Sequence, residues 1–517
     1  MERNLDRLSA LDSFFLDTET DDTPMHIGAV CLFEAPRSGD RGVTLKRLRN
    51  HIEARLALIP RYRQRIARVP LEGHPVWVDA ADFRVSDHVR AVALPSPALP
   101  GHLEETVSWI FSRPLSRRRP LWEIWLIEGV PGGGFALACK THHCLADGLG
   151  GAALLCAILG VEPFSTAEIP AEWKPREQPS TLEMLRDAVE ARARGVVSLA
   201  TSLASRTLVD PASVASGAGA VASALATVAS AAWEAPTTTA FDGAPGVDRR
   251  FLWWTIALDD VKRIGRRLGG TVNDVALTLV SEAFAQTSAS MEGGRDLRVY
   301  CPVGAGAGSV SATRLGNCVS GMLLDLPVDT RDLHERWHRV VAASRRSKAS
   351  GSIEGVFLLA NLANAVSPSA LARLEQVAGS TRLFNLVMTN VPGPQSPLYL
   401  FERRMTGVCP LVPLFRGQGI GIAIFSYAGI LTWGFHVDAS RFDEARQLRS
   451  ALAAAVLRLA RLSDETVATA RARERETSEL RTGAAAPAGP SRLAGPERRE
   501  APPPARARDA RLARAAG

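Results

Sequence analysis

A chain of 517 residues exceeds one ordinary core and implies two domains of roughly 200 residues with appendages. Its 46% apolar and 22% charged residues are those of a globular protein, which excludes a disordered or fibrous chain. The formal charge of +7 sits mostly at the end. Residues 471–517 hold eleven Arg against six Asp or Glu, a net +5, so the first 470 carry only +2 and nucleic-acid binding has no support. Cys31, Cys139, Cys144, Cys156, Cys301, Cys318 and Cys409 are scattered without a CxxC pair. That excludes zinc-ribbon and thioredoxin-type sites and fits reduced thiols in the cytoplasm. Residues 1–7 are charged and lack an apolar signal core. The longest uncharged stretch, 211–233, is mostly Ala, Ser, Gly and Val, too weakly apolar for a membrane span and better suited to a packed or interfacial helix.

In chain order, Ser9 is placed to cap an apolar helix over 8–16, a strand is expected over 26–34, and an amphipathic helix over 44–57. Residues 121–128 alternate and are Trp-rich; Pro131-Gly132-Gly133-Gly134 joins them to a second alternating run, 135–141, which predicts a hairpin. In that run Phe135, Leu137, Cys139, Thr141 and His143 share one face, and Lys140 and His142 the other. Asp147 is set to cap a helix over 148–159. Ser180-Thr181-Leu182-Glu183 has capping-box spacing and opens a helix towards Leu208, which Asp210-Pro211 breaks; 234–247 is a loop. The second half predicts strands over 250–258, 298–302, 319–326 and 384–389, helices from Asp259 and Val272, a turn at Leu315-Gly316-Asn317, a hairpin of 420–425 with 430–436, and a helix over 442–462. Beyond about residue 470 the Arg/Ala/Pro-rich chain has almost nothing to bury and is expected to be disordered. The fold class is α/β, divided into 1–164, a helical and irregular bridge over 165–248, a second domain over 249–465, and a tail over 466–517.

Three roles are open to His142, His143 and Asp147: histidines satisfied by hydrogen bonds, metal ligands, or a base in acyl transfer. Adjacent strand residues point to opposite faces, so the two imidazoles are poorly placed to share an ion, and no metal is expected. In acyl transfer a histidine takes the proton of an acceptor hydroxyl that attacks a thioester directly. No Ser or Cys nucleophile is then needed, and the chain has no GxSxG elbow. Cys144 beside the pair is read as a small apolar filler rather than a nucleophile.

His142-His143-Cys144-Leu145-Ala146-Asp147-Gly148 matches the HHxxxDG signature of the CoA-dependent acyltransferase superfamily. Further blocks narrow the resemblance to the bacterial wax ester synthase/diacylglycerol acyltransferase family. They are Leu8-Ser9-Ala10-Leu11-Asp12 with Pro24-Met25-His26-Ile27-Gly28, Pro120-Leu121-Trp122, Thr271-Val272-Asn273-Asp274-Val275, Leu315-Gly316-Asn317 and Asn390-Val391-Pro392-Gly393-Pro394. Two stretches depart from the family pattern: Leu115-Ser116-Arg117-Arg118-Arg119, where an acidic residue is usual, and Gly304-Ala305-Gly306-Ala307-Gly308. The resemblance implies two chloramphenicol-acetyltransferase-like domains with the active site in a tunnel between them. It implies His143 as general base, His142 as support, Asp147 as a structural cap or ion-pair partner, and Gly148 as the residue allowing a tight turn and close helix packing. Trp122, Asn273, Asp274 and Asn390 are candidates to line the site. For each a structural role competes: a packed indole, a cap pair, a rigid turn. The expected activity is esterification of diacylglycerol or a long-chain fatty alcohol by acyl-CoA, a substrate rather than a cofactor, at a membrane face or lipid inclusion. A lipid-binding protein without catalysis and acyl transfer to a small alcohol are the alternatives.

Overall fold

The computed structural model describes residues 5–36, 42–163, 173–194, 236, 238–243, 246–287, 296–304, 319–349 and 383–483. Its strands are β1 (Asp6–Arg7), β2 (His26–Phe33), β3 (Gln64–Arg68), β4 (Pro75–Asp79), β5 (Val89–Ala93), β6 (Trp122–Glu128), β7 (Phe135–His142), β8 (Arg249–Ala257), β9 (Leu297–Gly304), β10 (Val319–Leu326), β11 (Leu386–Pro392), β12 (Tyr399–Leu400), β13 (Arg403–Leu411), β14 (Ile420–Tyr427) and β15 (Ile430–Asp438). Helices α1 (Ala10–Thr18), α2 (Leu45–Arg55), α3 (His102–Ser112) and α4 (Gly148–Ile158) belong to the first half. Helix α5 covers 181–194, and α6 (Leu258–Arg267), α7 (Val272–Gln286), α8 (Leu333–Ala349) and α9 (Phe442–Gly483) follow. Helices and sheets alternate, as the α/β reading expects.

Residues 1–466 form one compact unit. Within it the first sheet has the order β12-β13-β2-β7-β6-β5 and the second β10-β9-β11-β14-β15-β8; β1, β4 and β3 make a small third sheet. The predicted hairpin of β6 and β7 is present, with Trp122 opposite Thr141. The β14–β15 turn is closed by Ala428 and Gly429, both at positive φ (46° and 82°), the backbone a two-residue type I′ hairpin requires. The small third sheet and α8 carry no signal noted in the sequence. Nor does the position of β13: it comes late in the chain but pairs antiparallel with β2 inside the first sheet, Val408 opposite Cys31.

Both faces of β7 are buried, which its alternation allows. Phe135 and Leu137 pack under α2 and α4. Ala136 and Ala138 face Val107, Ile110 and Phe111 of α3, the small side chains letting that helix lie close. Lys140 follows on the α3 side. Its Nζ donates to the carbonyls of Ile110 and Arg113, completing the C-terminal end of α3, and burial pushes its pKa down to about 8. The second sheet buries Trp433, Phe435, Ile422 and Ile424 under α6 to α9.

Five expectations fall wholly or partly outside the described residues: the uncharged run 211–233, the turn at Leu315-Gly316-Asn317, the end of the bridge helix beyond 194, parts of the loop 234–247, and the tail beyond 483. The capping box at Ser180 is formed, with Glu183 N–H donating to Ser180 Oγ and Ser180 N–H to Glu183 Oε2. Helix α9 continues to Gly483, past the end expected at 462 and into the stretch expected to be disordered. The unit 467–517 is described only through that helical end. Its Ala, Arg and Glu residues are strong helix formers that need no core to propagate an existing helix.

Candidate active site

β2 and β7 lie antiparallel with His26 directly opposite His142, and β7 ends there. The chain then turns through 143–147 into α4. Asp147 holds the entry to α4: its Oδ1 accepts the Gly150 N–H at 2.8 Å, the N-cap bond expected from sequence. His143 is fixed by its backbone, N–H to Met25 O at 2.8 Å, and by its ring, stacked on Phe15 with centroids 3.8 Å apart and planes 5° apart.

His143 and His142 lie on opposite sides of the strand end, as alternation along β7 expects. His143 joins Thr141 and Cys139 on the wall of a cavity of about 370 Å³, lined from both large sheets and α4. Leu11, Phe15, Ile27, Leu155, Phe415 and Ile424 supply much of that wall, while Thr141, Asp147, Thr389 and Asn390 bring polar atoms. The Thr141 hydroxyl is 3.0 Å from Tyr62 Oη, whose ring is buried. His143 Nδ1 is shut off from solvent, which leaves Nε2 as its nitrogen for the cavity.

His142 is fully buried on the far side of the strand. Its Nδ1 accepts the Cys144 N–H at 3.1 Å, and its Nε2 lies 3.4 Å from Glu19 Oε1. Glu19 stands just past the end of α1. Its Oε1 also accepts the Met25 N–H at 3.1 Å and lies 3.7 Å from His26 Nε2; its Oε2 accepts from Arg117 at 2.9 and 3.1 Å. Burial would raise the Glu19 carboxyl, but the hydrogen bond and charge of His142, then those of Arg117, outweigh it and hold the pKa below the usual carboxylate value. The His26 imidazole is driven well below its ordinary pKa by burial and by the neighbouring Lys140 and His142. Glu19 was not found from sequence: a lone carboxylate on a helix end has no spacing signature. The basic run at 115–119 supplies the arginine that pairs with it.

Gly148 is the first residue of α4 and its φ is not left-handed, so the turn assigned to it is not what calls for glycine. Close packing is. A Cβ there would stand 2.6 Å from Val391 Cγ2 on β11, where the second sheet meets α4. Asn390 lies on the cavity wall beside that contact. Trp122, Asn273 and Asp274 do not line the cavity. Trp122 is buried one layer behind it, stacked between Tyr62 and His88 at 4.6 Å each, its Nε1 donating to Tyr62 O. Asp274 closes a capping box with Thr271 at the start of α7, and Asn273 is the second residue of that helix. The Thr-x-x-Asp spacing explains Asp274 as a cap. Cys144 is buried away from the cavity among Leu8, Leu16, Leu115 and Leu121. Burial and the charges of Asp12 and Glu19 push its thiol pKa well up, which disfavours the thiolate, and it does not line the cavity.

Residues 8–276 match the model of the wax ester synthase/diacylglycerol acyltransferase catalytic domain, and 315–459 that of the family's C-terminal domain. The probable diacylglycerol O-acyltransferase tgs1 of Mycobacterium tuberculosis is 31% identical over 481 residues, which cover 90% of this chain and 98% of that one. The wax ester synthase/diacylglycerol acyltransferase of Marinobacter aquaeolei VT8 has the same fold, with a TM-score of 0.63 at 23% identity over 89% of this chain and all of that one. The first condensation domain of the CDA synthetase is similar over 87% of this chain and 96% of its own, with a TM-score of 0.52 at 16% identity. With a histidine at a strand end facing an apolar cavity between two sheets, and both family models matched, the chain belongs to the wax ester synthase/diacylglycerol acyltransferase family as an O-acyltransferase.

Proposed function

We propose that this chain transfers a long acyl group from acyl-CoA to the hydroxyl of diacylglycerol or of a long-chain fatty alcohol, giving triacylglycerol or wax ester, with His143 as general base. The observation that carries this reading is the position of the His143 ring on the wall of a cavity of about 370 Å³ whose lining is mainly aliphatic and aromatic. The acceptor oxygen attacks the thioester carbonyl while its proton passes to His143 Nε2. The tetrahedral intermediate then expels the thiolate, the C–S bond breaks, and the proton goes to sulfur, leaving an ester and free CoA. Positioning two bound substrates supplies much of the acceleration. His142 and Asp147 hold the loop, and no further cofactor takes part.

The test is release of free CoA from one long-chain acyl-CoA in the presence of diacylglycerol, hexadecanol or a small alcohol. Release with the first two and little with the third is expected; release with the small alcohol alone overturns the acceptor assignment, and none with any acceptor overturns catalysis. Substrates this apolar place the protein at a cytoplasmic membrane face or lipid inclusion. None of the described helices is long and apolar enough to cross a membrane, so surface attachment is the mode proposed.

Gly151 tests where the acyl chain lies. It sits within α4 on the cavity wall, and a Cβ built on it meets nothing within 4 Å among the described residues. Glycine in a helix costs about 1 kcal/mol relative to alanine, and here neither backbone nor packing calls for it. Gly151→Leu is therefore expected to keep or raise Tm while shifting donor preference towards shorter acyl-CoAs. An unchanged chain-length profile would remove the acyl chain from this wall.

A further inference from the structure

Helix α8 carries a pair of imidazoles that the acyltransferase site does not use. Its inward side is committed: Trp337 and Val340 are buried in the second core, and Arg336 pairs with Glu282 at 2.8 Å. His334 and His338, one turn apart, are exposed, and neither lines the cavity. Their rings are 4.4 Å apart between centroids and inclined by 68°, with Nε2 facing Nε2 at 3.3 Å.

That separation is informative. One Nε2–H donates to the other ring at this distance, so the two imidazoles already form a hydrogen-bonded pair. Two metal–nitrogen bonds of about 2.0–2.1 Å that span the same separation enclose an angle of about 107°, close to tetrahedral. Histidines at i and i+4 on one helix face are also the spacing by which helices chelate zinc.

We propose that His334 and His338 form a bidentate surface site for a late first-row divalent cation of the zinc, copper, nickel and cobalt class. Among the described residues no third His, Cys, Asp or Glu joins them in a metal-holding group, so water fills the remaining positions and the ion exchanges freely. Neutral imidazole selects these ions over magnesium and calcium, which take oxygen ligands. The backbone N–H of His334 is already held by Asp332 Oδ1, so the start of the helix is ordered before an ion arrives. A bound ion would tie its first two turns together above Arg336 and Trp337.

The experiment is titration of the untagged full-length chain with Co²⁺, read by visible ligand-field absorption, followed by displacement with Zn²⁺. One saturable equivalent, read as a change of the cobalt bands from those of the aqua ion, is expected, displaced by Zn²⁺ and untouched by excess Mg²⁺. His334→Ala and His338→Ala should each weaken binding at least tenfold, because either leaves a single ligand, and should leave acyltransferase turnover unchanged. Zn²⁺ should raise the Tm of the wild type and of neither variant. Wild-type cobalt affinity in either variant, equal competition by Mg²⁺, or no saturable binding by the parent overturns the site.

Discussion

His143→Ala is expected to lower turnover about 10²–10⁴-fold, the range a positioned general base contributes. The loss should appear in kcat, because the base acts on the acceptor proton and not on the CoA donor. Binding of acyl-CoA in the absence of acceptor should be nearly unchanged. Folding should survive: the residue is half-buried, and its stack on Phe15 is worth about 0.5–1.5 kcal/mol by analogy with aromatic pairs. Single-turnover CoA release with and without acceptor separates the chemical step from binding. A variant within threefold of wild type in that assay would remove His143 as the base. His142→Ala makes the contrasting control. It removes a fully buried ring that accepts from Cys144 N–H and faces Glu19, so its primary defect should be stability.

Glu19→Ala is expected to be the most destabilising single change near the site, by about 2–4 kcal/mol. The side chain is only 7% exposed, and its loss strands the buried His142 Nε2 and the Met25 N–H. The lower end of that range allows for Arg117, which is 45% exposed and regains water. Activity should fall as well, through position and not chemistry. Glu19 holds Met25 by its N–H, and the Met25 carbonyl accepts from His143 N–H, so one carboxylate sets the backbone of the proposed base. kcat should therefore drop more than KM rises. Glu19→Gln keeps an acceptor for Met25 and should recover much of that activity but not the ion pair. The pH dependence has a defined sign. A carboxylate whose native pKa lies below its ordinary 4.5 stabilises the fold fully above that value and loses the contribution as pH falls through the native one. The Gln variant should thus approach wild-type stability in acid and fall behind it at neutral pH. Denaturant midpoints at pH 4 and pH 7 measure this, and an equal deficit at both would exclude the charge as the cause.

Much of this site was legible because its determinants are local. Alternation along β7 assigned opposite faces to His142 and His143, and the Asp147 cap follows from its place before an apolar helix. The fold class was legible from interspersed strand and helix periods, and the motif blocks pointed to the family. Trp122, Asn273 and Asp274 were harder, because a block recurring in a family states that a residue matters and not whether it touches substrate. The structure puts an indole behind Tyr62 and a carboxylate in a helix cap. Glu19 was invisible because its partners are His142, His26, Arg117 and Met25, brought together by the fold and not by spacing. The insertion of β13 into the first sheet was hidden for the same reason.

That insertion bears on how the protein is made. Met405 of β13 pairs with Phe33 of β2, so about 370 residues separate strands that are neighbours in space. At about 5–20 residues per second, β2 leaves the ribosome some 20–75 s before its partner exists. During that interval one edge of β2, with Val30, Cys31 and Phe33 all destined for the core, has no strand to pair with. Nascent chains halted anywhere before residue 403 should accordingly bind chaperones or aggregate, and fragments 1–248 and 249–517 should regain solubility when synthesised together. The first sheet therefore waits on a strand made after most of the second half.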